Sequence, residues 1–134
     1  MSKSAATRAR PLSPHLQIYK PIPTMMMSIV HRITGVALYF GIVLVIAWLL
    51  AAATSESWFN TVSAIYGSWI GRLVLFGLTW SLVHHLLGGI RHFVMDTGRA
   101  LDKQGSTRLA TMMPFISIAL TILLWVIGYM ARGA

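Results

Sequence analysis

Three apolar stretches, at residues 25–53, 65–95 and 110–131, are each long enough to cross a bilayer, and they decide what this chain can become. A hydrocarbon core takes about 20 residues of helix at a rise of about 1.5 Å each. The chain is 134 residues long, so three spans leave no room for a second domain of ordinary size. The second stretch is longer than it needs to be. Its start, Ile65-Tyr66-Gly67-Ser68-Trp69, carries the Tyr and Trp expected at headgroup level, so the span proper is expected to begin near Ile70. The fold class that follows is an all-α membrane protein with three transmembrane helices, residues 25–134, behind an N-terminal segment, residues 1–24.

Composition agrees and excludes other classes. Charged residues make up 10% of the chain and apolar ones 56%, against about 25% charged in a soluble domain. There is no cysteine, hence no disulfide scaffold, thiolate zinc site, iron–sulfur cluster or thiol nucleophile in this chain. Three acids, Glu56, Asp96 and Asp102, leave no paired-carboxylate site and no carboxylate cage for magnesium or calcium. The net charge of +8 does not point to nucleic acid, because the cations form no polar face and the aromatics lie inside apolar runs.

The charge belongs to the membrane. Lys3, Arg8, Arg10 and Lys20 precede the first span, and Arg99, Lys103 and Arg108 lie between the second and third. The connection 54–64 has no Lys or Arg, and the C-terminal tail has only Arg132. Cations gather on the cytoplasmic side of membrane proteins, which sets the N-terminus inside (cytoplasm or matrix) and the C-terminus outside. The first 24 residues do not read as a signal peptide. Pro11, Pro14, Pro21 and Pro23 interrupt them, and the apolar run behind is long enough to stay in the membrane. They are expected to lie irregularly at the inner surface.

Three arginines and four histidines stand where lipid disfavours charge: Arg32, Arg72 and Arg91, with His31, His84, His85 and His92. An ionisable group at bilayer depth costs several kcal/mol unless it is paired, snorkels or faces a cavity. Counting from the helix ends puts Arg32 ~12 Å and His85 ~16 Å from the inner surface, with Arg91 and His92 at ~6–8 Å. Antiparallel spans therefore bring Ser28, His31 and Arg32 to the depth of His85–His92, in the inner half. His85, Gly89 and His92 share one helix face, and His84, Gly88 and Arg91 the next. Histidine with glycine one turn away suits a flat macrocycle, whose iron would take an imidazole nitrogen of His85 and whose propionates would meet Arg32, His31 and Arg91. Interhelical hydrogen bonding and close glycine packing are the plain alternatives. His84 points about 100° away from His85 and reads as structural; Arg72 reads as snorkelling. Ser28 and Arg32 lie one turn apart on one face. Together they can hydrogen-bond a quinone carbonyl and stabilise charge developing on it; for Ser28 a bond back to its own helix is the alternative. Met25-Met26-Met27 reads as adaptable packing.

Two motifs carry a resemblance. One is Arg10-Pro11-Leu12 through Leu16, followed by Ser28-Ile29-Val30-His31-Arg32-Ile33-Thr34; the other is His85-x-x-x-Gly89-Ile90-Arg91-His92, continuing to Met95-Asp96 and Gly98. With the three-span layout, the chain resembles the cytochrome b membrane-anchor subunits of succinate dehydrogenase (succinate:quinone oxidoreductase, respiratory complex II). The resemblance implies a heteromeric helix bundle in which the His85 position supplies one axial ligand to haem b and a second small anchor subunit supplies the other. It implies a ubiquinone site at Ser28 and Arg32 beside an iron–sulfur subunit, with His31 and Arg32 near the haem propionates; Arg91 and His92 are expected to meet the propionates or to lie just behind the residues that do. A flavoprotein subunit would oxidise succinate outside the bilayer, in the tricarboxylic acid cycle and respiratory chain, with neither flavin nor iron–sulfur cluster in this chain. The expected location is a bacterial plasma membrane, with the mitochondrial inner membrane as the alternative. Two rivals are a haem b subunit of another quinone-linked dehydrogenase and a small proton or ion transport component with the histidines as a relay. A relay needs polar groups in both halves, and the outer half is almost wholly apolar apart from Arg72.

Overall fold

The computed structural model describes residues 19–133, and these form four helices in chain order: α1 (Pro23–Thr54), α2 (Glu56–Gly67), α3 (Trp69–Asp96) and α4 (Lys103–Gly133). The motif residues from Arg10 to Leu16, the cations Lys3, Arg8 and Arg10, and most of the expected inner-surface segment lie outside the described residues. α1, α3 and α4 are the three helices long and apolar enough to cross a membrane. The protein is therefore an all-α membrane protein with three spans.

Each start has a local cause. Pro23 opens α1, where its missing N–H is no loss. Ser68 caps α3 by accepting the Gly71 N–H at 3.1 Å, and Asp102 accepts the Gly105 N–H at 2.8 Å before α4. α4 thus begins at Lys103, ahead of the apolar stretch at 110. The second span begins at Trp69, because residues 65–67 close α2 instead. The connection treated as a loop at 54–64 is largely helical. Ser55 ends α1 in an extended conformation and its hydroxyl accepts the Trp58 N–H at 3.1 Å. Partly buried Phe59, Val62, Ser63 and Tyr66 recur at helical spacing along α2. Tyr66 donates to the Leu44 carbonyl of α1 at 2.8 Å.

The three spans pack inside out relative to a soluble protein. Apart from Val83 and Met113, the buried residues are small or polar: Thr34, Gly41, Ala51, Ser81, His84, Gly88, Ala110, Ser117 and Thr121. Large side chains such as Phe40, Leu73 and Phe115 face outward. Lipid rewards that pattern: helices gain nothing by hiding leucine from hydrocarbon, and small residues let their backbones approach. α1 and α3 run antiparallel, so facing positions descend on α3 as they climb on α1. Gly88 lies against His31, Gly35 against His85, and Gly41 against Leu78. α4 closes the other side of α3. There the Ser117 hydroxyl donates to the Pro114 carbonyl at 2.9 Å and accepts from Trp80 Nε1 at 3.1 Å.

Candidate functional site

The seam between α1 and α3 carries the inner polar cluster. His85 reaches across to α1, and its ring lies over Gly35, where a Cβ would stand 3.0 Å from His85 Cε1. Its Nδ1 is 3.1 Å from the His31 carbonyl oxygen and 3.3 Å from the Thr34 hydroxyl. Thr34 gives its one proton to that same carbonyl at 2.9 Å, so its oxygen can only accept from His85. Two acceptors face Nδ1, which puts the imidazole proton there and leaves Nε2 with its lone pair. Among the described residues Nε2 makes no hydrogen bond, and it is not among the buried unpartnered atoms. An imidazole whose Nδ1–H is tied to a carbonyl is the arrangement a metal ligand requires.

His31 packs on that ring. The two rings stack with centroids 3.9 Å apart and planes 9° from parallel, and His92 meets His31 edge-on at 5.7 Å. Stacking covers the flat face of His85 and leaves its edge free. Gly88 makes the arrangement possible, because a Cβ there would collide with His31 Nδ1 and come within 2.8 Å of its Cε1. Gly89, one turn from His85, has open space where its Cβ would be, so a flat group can approach the backbone there.

Beside the stacked rings lies a cavity of about 200 Å³, lined by Met27, Ser28, His31 and Arg32 from α1, Gly88, Arg91 and His92 from α3, and Met113 from α4. It brings together every residue singled out above for quinone or propionates; His85 touches it through His31. Two of its polar atoms are buried with no hydrogen-bond partner, His31 Nδ1 and Arg91 Nε. Buried donors left bare cost about 1–3 kcal/mol each, more when charged, and an anionic or carbonyl ligand relieves that cost. Ser28 and Arg32 are exposed. Among the described residues Ser28 has no bond back to its own helix, unlike Thr34, Thr79 and Thr121. No three His, Cys, Asp or Glu among the described residues converge to hold a bare metal ion. An iron carried in a macrocycle takes most of its ligands from that ring, so the absence of such a cluster does not bear on it.

His84 turns the other way. It is fully buried, and its Nδ1 lies 3.1 Å from the Ser117 hydroxyl on α4. Since Ser117 spends its proton on Pro114, His84 donates, and its Nε2 is buried without a partner. Arg72 lies at the far end of α3, on a second cavity of about 820 Å³ whose lining also includes Trp48, Tyr66, Trp125 and Arg132. The structure thus separates Arg72 from the inner cluster. Sequence reasoning missed Thr34 and Gly35 as parts of the site, although both stand within a turn of His31-Arg32; their partner is far along the chain, and spacing gives no sign of it.

Residues 6–124 match the model of the succinate dehydrogenase/fumarate reductase transmembrane subunit family. The chain is 39% identical over 120 residues to the succinate dehydrogenase cytochrome b556 subunit of Paracoccus denitrificans, covering 90% of this chain and 92% of the relative. It is 36% identical over 117 residues to the subunit of the same name from Rickettsia prowazekii, covering 87% and 91%. With the mitochondrial cytochrome b560 subunit of Sus scrofa it shares 39% identity over 94 residues, 69% of this chain and 56% of the relative.

Proposed function

Since this chain belongs to the succinate dehydrogenase/fumarate reductase transmembrane subunit family, we propose that it binds haem b through His85 and ubiquinone through Ser28 and Arg32, as the cytochrome b anchor of a succinate:ubiquinone oxidoreductase. The chain is a membrane subunit of succinate dehydrogenase and not the one that oxidises succinate. The observation that carries the proposal is the His85 ring: Nδ1 committed to the His31 carbonyl and Thr34, Nε2 free, and open backbone at Gly89 one turn on. Haem, when bound, supplies a one-electron iron centre within the bilayer. This chain's part is to present one imidazole nitrogen and to neutralise two propionates. Arg91 and His31, each with a buried nitrogen lacking a partner, and Arg32 and His92 on the same cavity suit that second task.

Ubiquinone reduction takes two electrons and two protons. The Arg32 guanidinium stays charged throughout and donates to a quinone carbonyl oxygen; its bond strengthens as negative charge gathers there. The Ser28 hydroxyl, one turn away and not bonded back to its helix, donates to the same region. In this reading the protons enter from the basic side of the bilayer, which is the cytoplasm of a bacterium; the mitochondrial inner membrane is the alternative. On that side sit an iron–sulfur subunit, which delivers the electrons, and a flavoprotein subunit that takes them from succinate. A second small anchor subunit supplies the other haem ligand.

The test is His85→Ala in the assembled complex, read by a reduced-minus-oxidised spectrum with succinate as reductant. The expected result is loss or marked alteration of the haem b signal. An unchanged low-spin spectrum removes His85 from the ligand role.

A further inference from the structure

Thr34 is 1% exposed and sits well inside a membrane-spanning helix, so its hydroxyl needs a reason. A bond to the His31 carbonyl three residues back, at 2.9 Å, would satisfy its proton and nothing more. The hydroxyl does more than that. Its oxygen also faces His85 Nδ1 at 3.3 Å, and the carbonyl it donates to is the one that Nδ1 approaches at 3.1 Å. Thr34 Oγ1, the His31 carbonyl and His85 Nδ1 form a closed triangle, in which the threonine proton is spent and two acceptors converge on one ring nitrogen. Gly35 admits the ring, since a Cβ there would crowd Cε1 at 3.0 Å.

Neutral imidazole has two tautomers, and only the one protonated on Nδ1 leaves Nε2 a lone pair to give. Without a hydrogen bond to choose between them, the ring is free to present N–H where a metal needs an electron pair. We propose that Thr34 is a positioning residue: its hydroxyl, with the His31 carbonyl, holds His85 in the Nδ1-protonated tautomer and orientation that would leave the Nε2 lone pair available to an iron. This rests on the reading of His85 as the iron ligand. A hydrogen-bonded Nδ1–H also makes imidazole a stronger donor to iron, so loss of the hydroxyl favours the reduced metal and raises its midpoint potential.

The experiment uses the purified complex carrying Thr34→Val, which keeps the shape and removes the acceptor, Thr34→Ser, which keeps it, and His85→Ala. Haem retained per complex and the haem b midpoint potential are measured in each. Thr34→Val is expected to weaken haem retention about tenfold, as loss of an outer partner to a metal ligand does, and to shift the midpoint upward; Thr34→Ser is expected to match the parent on both. Where Thr34→Val does not assemble, Thr34→Ala takes its place with the same expectation. A midpoint and retention unchanged in the hydroxyl-free variants, an equal change in the serine variant, or failure of both hydroxyl-free variants to assemble each overturns the positioning role. The reading beneath it fails separately, by His85→Ala keeping the parent haem spectrum.

Discussion

The two ends of the α1–α3 seam make opposite use of similar materials. At the outer end, a cavity of about 820 Å³ is walled by indoles and leucines. Its polar groups are largely satisfied: Tyr66 donates to Leu44, Trp125 Nε1 to Thr79 at 3.2 Å, and Thr79 to Leu75 at 2.8 Å. Arg72 and Arg132 also line it, but both are exposed, and the buried atom without a partner there, among the described residues, is the Ser63 hydroxyl oxygen. At the inner end, a cavity of about 200 Å³ gathers two histidines, two arginines and a serine, with a ring nitrogen and a guanidinium nitrogen buried and bare. Volume and chemistry are therefore decoupled in this molecule. An apolar cavity in a membrane protein gains little from any particular occupant, because lipid tails fill it as well as a ligand does. A small cavity with unpaired cationic groups gains several kcal/mol from an anion or a carbonyl.

The contrast can be broken by substitution at either end. Arg32→Ala should lower quinone reduction by succinate at least ~100-fold, the usual cost of removing a donor aimed at developing charge. Succinate oxidation with an artificial acceptor should stay within ~2-fold of the parent in that variant. Equal loss of both activities would mean misassembly and sink the assignment. Ser28→Ala should be milder, raising the quinone KM about tenfold for one lost hydrogen bond of about 1–1.5 kcal/mol; an unchanged KM removes Ser28 from the site. Two glycines sharpen the picture further. Gly88→Ala forces the His31 ring to move and should lower the thermal midpoint of the complex, by the overpacking cost of about 1–3 kcal/mol. Gly89→Ala meets no atom of this chain within 4 Å, so it should leave thermal stability alone while weakening haem retention. If both alanines behave alike, the macrocycle does not approach along Gly89. The smallest effect belongs to the outer end: Arg72→Gln with Arg132→Gln should leave the haem spectrum and quinone reduction within ~2-fold of the parent. A tenfold loss there would show that the larger cavity takes part in the chemistry.

Much of this was legible beforehand, and the failures have physical causes. Hydropathy located the three spans because lipid imposes a length that local composition alone can satisfy. Depth counting placed Ser28, His31 and Arg32 level with His85–His92, because rise per residue is fixed and the spans alternate in direction. α2 went unread although Ser55 and the spacing of Trp58, Val62 and Ile65 announce it; at 12 residues it is too short for a hydropathy reading that looks for spans. His84 and His85 could be told apart in direction by the 100° step, but which neighbour each would meet could not. Thr34 closes the first motif but carried no role there, since buried hydroxyls in membrane helices usually bond their own backbone.

The linear chain by itself determined that there are three spans, which end of them is basic, and that the imidazoles of His31, His85 and His92 and the guanidinium groups of Arg32 and Arg91 belong to one end of the α1–α3 pair. Those follow from rules that act over a few residues: hydropathy over a span, rise over a turn, charge beside a boundary. The tertiary structure alone decided which nitrogen of His85 is free, that Thr34 and the His31 carbonyl hold the other, and that Gly35 and Gly88 make room for the rings. Thr34 and His85 are 51 positions apart. No helical period links residues on different helices, so only the packed seam between α1 and α3 could bring that hydroxyl to that ring.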